Sequence, residues 1–376
     1  MGSIPDELVA LLDTVVRHGA SDLHLRPGVT AKVRISGSLV PVGDRPYDAL
    51  EVEDLVRGSM TAEVQATFEE RFEADYAISV PGLGRFRVNA FRTMGEAGCV
   101  MRRVSDAPAT LSQLGLPDVI SQLALRPRGL VLVTGPTGSG KTTTLAGMID
   151  VVNENRSVHV LTLEDPIEIL HRSKVATVTQ RELGSDTHDW GSALRAAMRQ
   201  DPDVILIGEL RDPDTVHAAL SAAETGHAVF ASMHTTDARE TVQRLIDFFP
   251  PHEQARVRVA LSTTLEGVVC QRLVPRADGR GRVCVTEVAV RDARLAAAIA
   301  DPEKTGDIPD ILATGEYSGM HTFDQHLLEL VTSGVVEVQA AINAASNPHD
   351  FTVALRRTGW QPGGVPQAVA APGGAR

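Results

Sequence analysis

Gly135-Pro136-Thr137-Gly138-Ser139-Gly140-Lys141-Thr142 is the stretch from which the rest of this chain can be read. It satisfies the pattern Gly-x-x-x-x-Gly-Lys-Ser/Thr, and it stands where that pattern has meaning. An apolar run at 130–134 (LVLVT) precedes it, and helical periodicity begins near Thr142. In such a loop the glycines let successive backbone N–H groups turn inward around phosphate oxygens, and the following helix adds positive potential at its start. The expected phosphate contacts are Gly135, Pro136, Thr137, Gly138, Ser139, Gly140, Lys141, Thr142 and Thr143. Lys141 would reach the β- and γ-phosphates of a triphosphate, and the Thr142 hydroxyl would ligate Mg²⁺.

Working outward, three more short apolar runs follow at 158–163 (VHVLTL), 203–208 (DVILIG) and 228–233 (AVFASM), separated by stretches of helical period. Strands that are apolar throughout and alternate with helices predict an α/β domain on a mostly parallel sheet covered on both faces. In such sheets ligands bind beyond the carboxyl ends of the strands, so the polar residues just after each run should gather at the phosphates. The second run ends in Glu164 and Asp165, the third leads to Glu209 after Gly208, and the fourth leads to His234. Splitting off a γ-phosphoryl group needs a carboxylate to hold Mg²⁺ and a group to orient or deprotonate water. Glu209 is the favoured residue for Mg²⁺ and water and Glu164 for the general base, with the exchange of roles open. Glu164 could alternatively cap a helix starting near Pro166. His234 is read as the phosphate sensor. His227, at the other end of the fourth run, is a second candidate nucleotide contact, with a purely structural role as its alternative.

The first hundred residues have a different pattern. Residues 4–18 place Leu8, Leu11, Leu12, Val15 and Val16 at helical spacing. Segments near 22–25, 31–35, 75–80, 85–92 and 97–104 then alternate apolar and polar positions between Gly-containing turns, which predicts a small antiparallel α+β domain. The organisation expected is an N-terminal domain over 1–105, a linker over 106–121, a nucleotide-binding domain over 122–360, and a disordered Gly/Pro/Ala-rich tail over 361–376. The C-terminal third reads as mainly helical, with 251–270 as one helix starting at Pro251.

Composition narrows the functional classes. Lys and Arg number 36 against 48 Asp and Glu, so the formal charge of −12 argues against a broad phosphate-backbone surface. Aromatic residues make up only 4%, which disfavours the stacking channel of a single-strand DNA motor. Cys99, Cys270 and Cys284 form no Cys-x-x-Cys pair, so neither a disulfide framework nor a tetracysteine zinc site is expected, and a reducing cytosol fits. No apolar stretch is long enough to span a bilayer and the N-terminus lacks the plan of a signal peptide, so any membrane role is expected to run through a partner.

Together these motifs resemble the secretion and pilus-motor ATPases, and within them the twitching-motility retraction branch. The resemblance rests on Gly19-Ala-Ser-Asp-Leu-His-Leu-Arg-Pro27, the loop 135–142 and Leu161-Thr-Leu-Glu-Asp-Pro-Ile-Glu168. It rests equally on the segment from Leu194 to Asp212, on Thr225-Gly-His-Ala-Val-Phe-Ala-Ser-Met-His-Thr235 and on Gly319-Met-His-Thr-Phe-Asp-Gln325. It implies a RecA-like motor domain behind a PAS-like N-terminal domain, ATP and Mg²⁺ as cofactors, and a homohexameric ring. The ring would sit at the cytoplasmic face of the inner membrane, where its partner is a pilus platform protein. The resemblance also implies arginines from the N-terminal domain at the phosphates. Candidates lie between Arg85 and Arg92, at Arg102 and Arg103, and at Arg195 and Arg199, with Arg87 and Arg92 preferred.

Extension and secretion relatives usually carry a further N-terminal domain and a zinc module, so retraction is favoured. One stretch departs from the retraction pattern. In Arg294-Leu-Ala-Ala-Ala-Ile-Ala300, Ala296 stands where an arginine is expected. The alternatives are an assembly or type II secretion ATPase, a DNA-dependent RecA-type ATPase, and a nucleotide-binding scaffold without catalysis. Lys141, Thr142, Glu164 and Glu209 together argue against the last.

Overall fold

In the computed structural model residues 4–360 are described, and the expected tail over 361–376 lies outside them. The chain divides into two units, one running to Ala107 and including Glu168–Leu170, the other formed by Pro108–Ile167 and the chain from His171 onward.

In the first unit, helix α1 (Asp6–Arg17) buries Leu8, Leu11, Leu12 and Val15, the stripe expected from its spacing. Strands β1 (Asp22–Leu25), β2 (Lys32–Ile35) and β3 (Ser38–Pro41) follow, then α2 (Ala49–Gly58) and α3 (Ala62–Arg71). The unit closes with β4 (Glu73–Val80), β5 (Gly84–Thr93) and β6 (Glu96–Arg103). The start of α2 is fixed by a capping box in which Asp48 accepts from the Glu51 N–H and Glu51 reaches back to the Asp48 N–H. All pairings are antiparallel in the order β3-β2-β1-β6-β5-β4. Strand β3 has no counterpart in the sequence reading because all four of its residues are exposed, so it carries no inside-outside alternation.

In the second unit, α4 (Asp118–Ala124) leads to β7 (Gly129–Thr134), α5 (Lys141–Asn155), β8 (His159–Glu164), β9 (Thr177–Glu182) and α6 (Trp190–Ala197). Then come β10 (Val204–Ile207), α7 (Pro213–Glu224), β11 (Ala228–Met233), α8 (Ala238–Asp247) and α9 (Pro251–Thr264). Strands β12 (Leu265–Pro275) and β13 (Arg282–Val290) complete the sheet, and α10 (Ala293–Ala300), α11 (Ile308–Ala313), α12 (Phe323–Thr332), α13 (Val338–Ala344) and α14 (Pro348–Arg357) end the unit. The sheet order is β13-β12-β7-β11-β10-β8-β9, parallel except for β13. Every residue of β7, β10 and β11 is buried, which is why these strands read as unbroken apolar runs. Each fully buried Val, Ile or Leu among them contributes roughly 1.5–3 kcal/mol.

Two expectations give way. The segment 251–270 is not one helix: α9 stops at Thr264, and from Leu265 the chain becomes β12. The run Leu265-Glu-Gly-Val-Val-Cys270 supplies β-branched side chains for a strand buried on both faces. A strand here also keeps Gly267 in close packing, since a Cβ at that position would stand 2.8 Å from both Leu123 methyl groups. The stretch 106–121, read as a linker, belongs from Pro108 onward to the second unit, with Leu111 and Leu116 in its core and α4 already begun at Asp118. Its Pro and Gly residues signalled irregular backbone, and irregular backbone can still be packed.

Candidate active site

Loop 135–142 lies between the end of β7 and the start of α5, and what α5 lacks is informative. Helices α6, α7, α8 and α10 begin under Asp189, Asp212, Asp237 and Asp292, whose carboxylates accept a backbone N–H of the first turn. Helix α5 begins under Gly140, with no side-chain cap and no acidic residue in its first turn. Its leading N–H groups and the positive end of its dipole are thereby kept for an outside anion. Gly140 has φ +93° and Gly135 has φ +144°, and a Cβ at 135 would lie 2.4 Å from the Gln271 carbonyl oxygen. Only glycine fits that turn.

The Lys141 ammonium folds back over the loop, donating to the carbonyls of Gly135 at 2.8 Å and Pro136 at 3.1 Å. Burial lowers its pKa, with the Glu209 charge acting the other way. A ligand phosphate offers the same ammonium stronger, charged acceptors. Ser139 Oγ is buried and makes no hydrogen bond among the described residues, a polar atom left over at the loop. An uncapped helix start, a loop lysine folded onto backbone carbonyls and an unused hydroxyl together fit a phosphate ligand.

The neighbouring strand ends supply the rest. Glu209 follows β10, His234 follows β11, and His234 Nε2 stands 3.1 Å from Glu209 Oε1. His234 Nδ1 is 3.5 Å from Lys141 Nζ, so the imidazole links the phosphate loop to the carboxylate. Arg211 holds the other Glu209 oxygen at 2.7 Å. Burial alone would raise the Glu209 pKa, but the Arg211 hydrogen bond and the proximity of His234 outweigh it and hold the carboxyl below its ordinary range. Glu164 ends β8, next to Gly208 across the sheet, since β8 and β10 pair Leu163 with Ile207. It is 8% exposed and accepts from Thr162 Oγ1 at 2.7 Å and Gln180 Nε2 at 3.0 Å. Among the described residues, no group of three or more His, Cys, Asp and Glu side chains could hold a metal ion by itself.

Other candidates lie elsewhere. His227 precedes β11 and its carbonyl accepts from the Gly129 N–H, at the start of β7, so within this chain it sits at the opposite end of the sheet from the loop. Its Nδ1 is tied to the Ala222 carbonyl at 2.9 Å, a helix-end anchor of the kind its structural alternative expects. Arg92 is engaged with both Glu53 oxygens at 2.9 Å and lies over the Phe68 ring, which ties β5 to α2 and α3. Its preference as a phosphate arginine has no support within this chain. Arg87 is exposed on β5, directly across from Arg102 on β6, and Arg102 in turn pairs with Asp22 at 2.7 Å. Arg103 is held by Asp106. Sequence reasoning passed over Arg211, although its spacing of two from Glu209 in an extended segment was a usable signal. It also missed Thr162 and Gln180 beside Glu164.

The order of the parallel strands puts β11 and β10 between β7 and its sequence successor β8, and Lys141, His234 and Glu209 meet at the carboxyl ends of β7, β11 and β10. This is the plan of a RecA-like phosphate-loop nucleoside triphosphatase. The family described as Type II/IV secretion system protein matches residues 1–306, and the chain belongs to that family of ATPases. The chain is 41% identical over 345 residues to the type IV pilus retraction ATPase PilT of Pseudomonas aeruginosa, covering 92% of this chain and all of that one. It is 42% identical over 323 residues to a twitching motility protein of Neisseria gonorrhoeae, covering 86% of each. Among solved structures it resembles that of the pilus retraction motor PilT with bound ADP, at a TM-score of 0.84 and 38% identity, over 91% of this chain and 98% of that one. No helix among the described residues is long and apolar enough to cross a membrane.

Proposed function

We propose that this chain is the ATP-driven motor of type IV pilus retraction. It would work as a homohexameric ring at the cytoplasmic face of the inner membrane, touching the membrane only through a pilus platform protein. The link from Lys141 through His234 to Glu209 is the observation that carries the catalytic part, because it joins the phosphate grip to the hydrolytic carboxylate by one side chain.

In this reading Lys141 exchanges the Gly135 and Pro136 carbonyls for the outer phosphates of ATP, and the backbone from Gly138 to Thr143 holds the inner ones. Thr142, Glu209 and Glu164 are the residues that would hold Mg²⁺. When bound, that ion neutralises charge on the phosphate chain and polarises the phosphorus toward attack. Glu209, kept ionised, orients water, and Glu164, buried and hydrogen-bonded at β8, takes its proton. His234 reports on the γ-phosphate, since any shift of Lys141 toward the ligand alters what Nδ1 faces. Arg87, exposed on β5, would be the arginine that neutralises transition-state charge, a role that can change rate by about 10³–10⁵.

Deleting the gene in its host and imaging surface fibres tests the direction of the motor. Accumulated fibres that do not shorten, rescued by the wild-type gene but not by Lys141→Ala, are expected. Bald cells would instead make it an assembly motor. Native mass spectrometry of the purified chain with nucleotide should show six copies.

A further inference from the structure

Gln271 belongs to none of the motifs above, yet it forms the back of the phosphate loop. Strand β12 runs parallel to β7 with Cys270 opposite Thr134, so the next residue stands beside Gly135. Gln271 is 1% exposed, and its Nε2 donates to the Ser139 carbonyl at 2.6 Å. The two close glycines of the loop both abut it. A Cβ at 135 would meet its carbonyl oxygen at 2.4 Å, and a Cβ at 140 would meet its Nε2 at 3.2 Å.

A trans peptide directs its C=O and N–H to opposite sides. Holding the Ser139 carbonyl toward β12 therefore turns the Gly140 N–H away from β12, and that N–H has no backbone acceptor among the described residues. The hydrogen bond to Gln271 thus fixes the direction of an amide at the mouth of α5. Its Oε1 is buried and makes no hydrogen bond among the described residues. Burying an unused carbonyl is unfavourable, so a side chain that only filled space would be better as an aliphatic one. The donor half of the amide is what this position uses.

We propose that Gln271 is a positioning residue for phosphate binding, orienting the Ser139–Gly140 peptide so that the Gly140 N–H is presented to the nucleotide. The inference rests on the reading of loop 135–142 as the ATP site. It concerns ground-state grip: ADP and ATP affinity should depend on Gln271, and kcat at saturating ATP should not.

The test is titration of the full-length protein with a fluorescent ADP analogue, alongside steady-state turnover. Gln271→Leu keeps bulk and removes the donor. It should raise the ADP Kd and the KM for ATP about tenfold, with kcat within about threefold, the scale of one lost oriented hydrogen bond. Gln271→Glu keeps the shape and places a carboxylate against the Ser139 carbonyl. It should bind ADP at least tenfold more weakly than wild type at pH 8.5 and recover toward wild type at pH 6, where the protonated acid can donate again. A merely structural role would not produce that recovery. Wild-type affinity in Gln271→Leu, or a Gln271→Glu deficit that is the same at both pH values, overturns the proposal. If Gln271→Leu does not fold, the pH response of Gln271→Glu decides alone. Tight ADP binding by the wild-type protein would keep the site reading in place even then, whereas no binding by the wild type would remove both.

Discussion

His234 Nε2 lies 3.1 Å from Glu209 Oε1 while the same ring turns Nδ1 toward Lys141 at 3.5 Å. The ammonium donates to Nδ1 and Nε2–H donates to the carboxylate, so one neutral tautomer satisfies both contacts. Two strands and the phosphate loop are connected through this ring. Replacing it should uncouple hydrolysis from binding: His234→Asn should lower kcat by about 10²-fold, the scale of a lost transition-state contact. ADP affinity should stay within about threefold, as measured by phosphate release and nucleotide titration on the same preparation.

Lys141→Ala and Glu209→Ala should each abolish measurable ATP turnover, a loss of at least about 10³-fold. They should differ in binding. Lys141→Ala should weaken ATP more than ADP because Lys141 faces the outer phosphates, whereas Glu209→Ala should leave ATP bound and uncleaved. Turnover by either purified variant would refute the site.

Chelation separates the metal from the cradle. Excess EDTA should stop turnover completely but leave ADP binding to the loop measurable, because Lys141 and the α5 amides do not depend on a cation. Complete loss of ADP binding would mean that the metal, rather than the backbone, carries the grip.

The two preferred arginines should behave differently. Arg92→Ala removes a bidentate partner from half-buried Glu53 and should destabilise the first unit by about 1–3 kcal/mol, visible as a lower melting temperature. Arg87→Ala should leave the melt unchanged and lower kcat by 10²-fold or more. Equal melting temperatures with turnover lost in Arg92→Ala would reverse this reading.

Acid should loosen the C-terminal part of the second unit. Burial pushes the His321 pKa down to about 4, with His326 adding to the effect. Its Nε2 bonds Thr286 Oγ1 at 2.9 Å on β13, beside His326 at the same hydroxyl. An unfolded histidine binds its proton near pH 6.5. Between pH 6.5 and 4 the unfolded chain therefore holds more protons, so this contribution to stability is full above pH 6.5 and is lost as pH falls toward 4. The total is on the order of 3 kcal/mol. Calorimetry across that range should show a flatter dependence for His321→Gln.

The sequence determined the parts of this protein whose signal is local. The loop 135–142 is a matter of glycine, lysine and threonine in consecutive positions, and the buried strands β7, β8, β10 and β11 announce themselves because strands covered on both faces must be apolar throughout. That is why Glu164, Glu209 and His234 could be placed at strand ends without coordinates. Tertiary structure decided what depends on partners far along the chain. Leu265–Pro275 became a strand because β7 and β13 flank it. Arg92 went to Glu53, 39 residues earlier. Gln271 reached Ser139 across 132 residues. A hydrogen bond of that kind stabilises only after the chain has closed the loop between its partners, so no short window of sequence contains it.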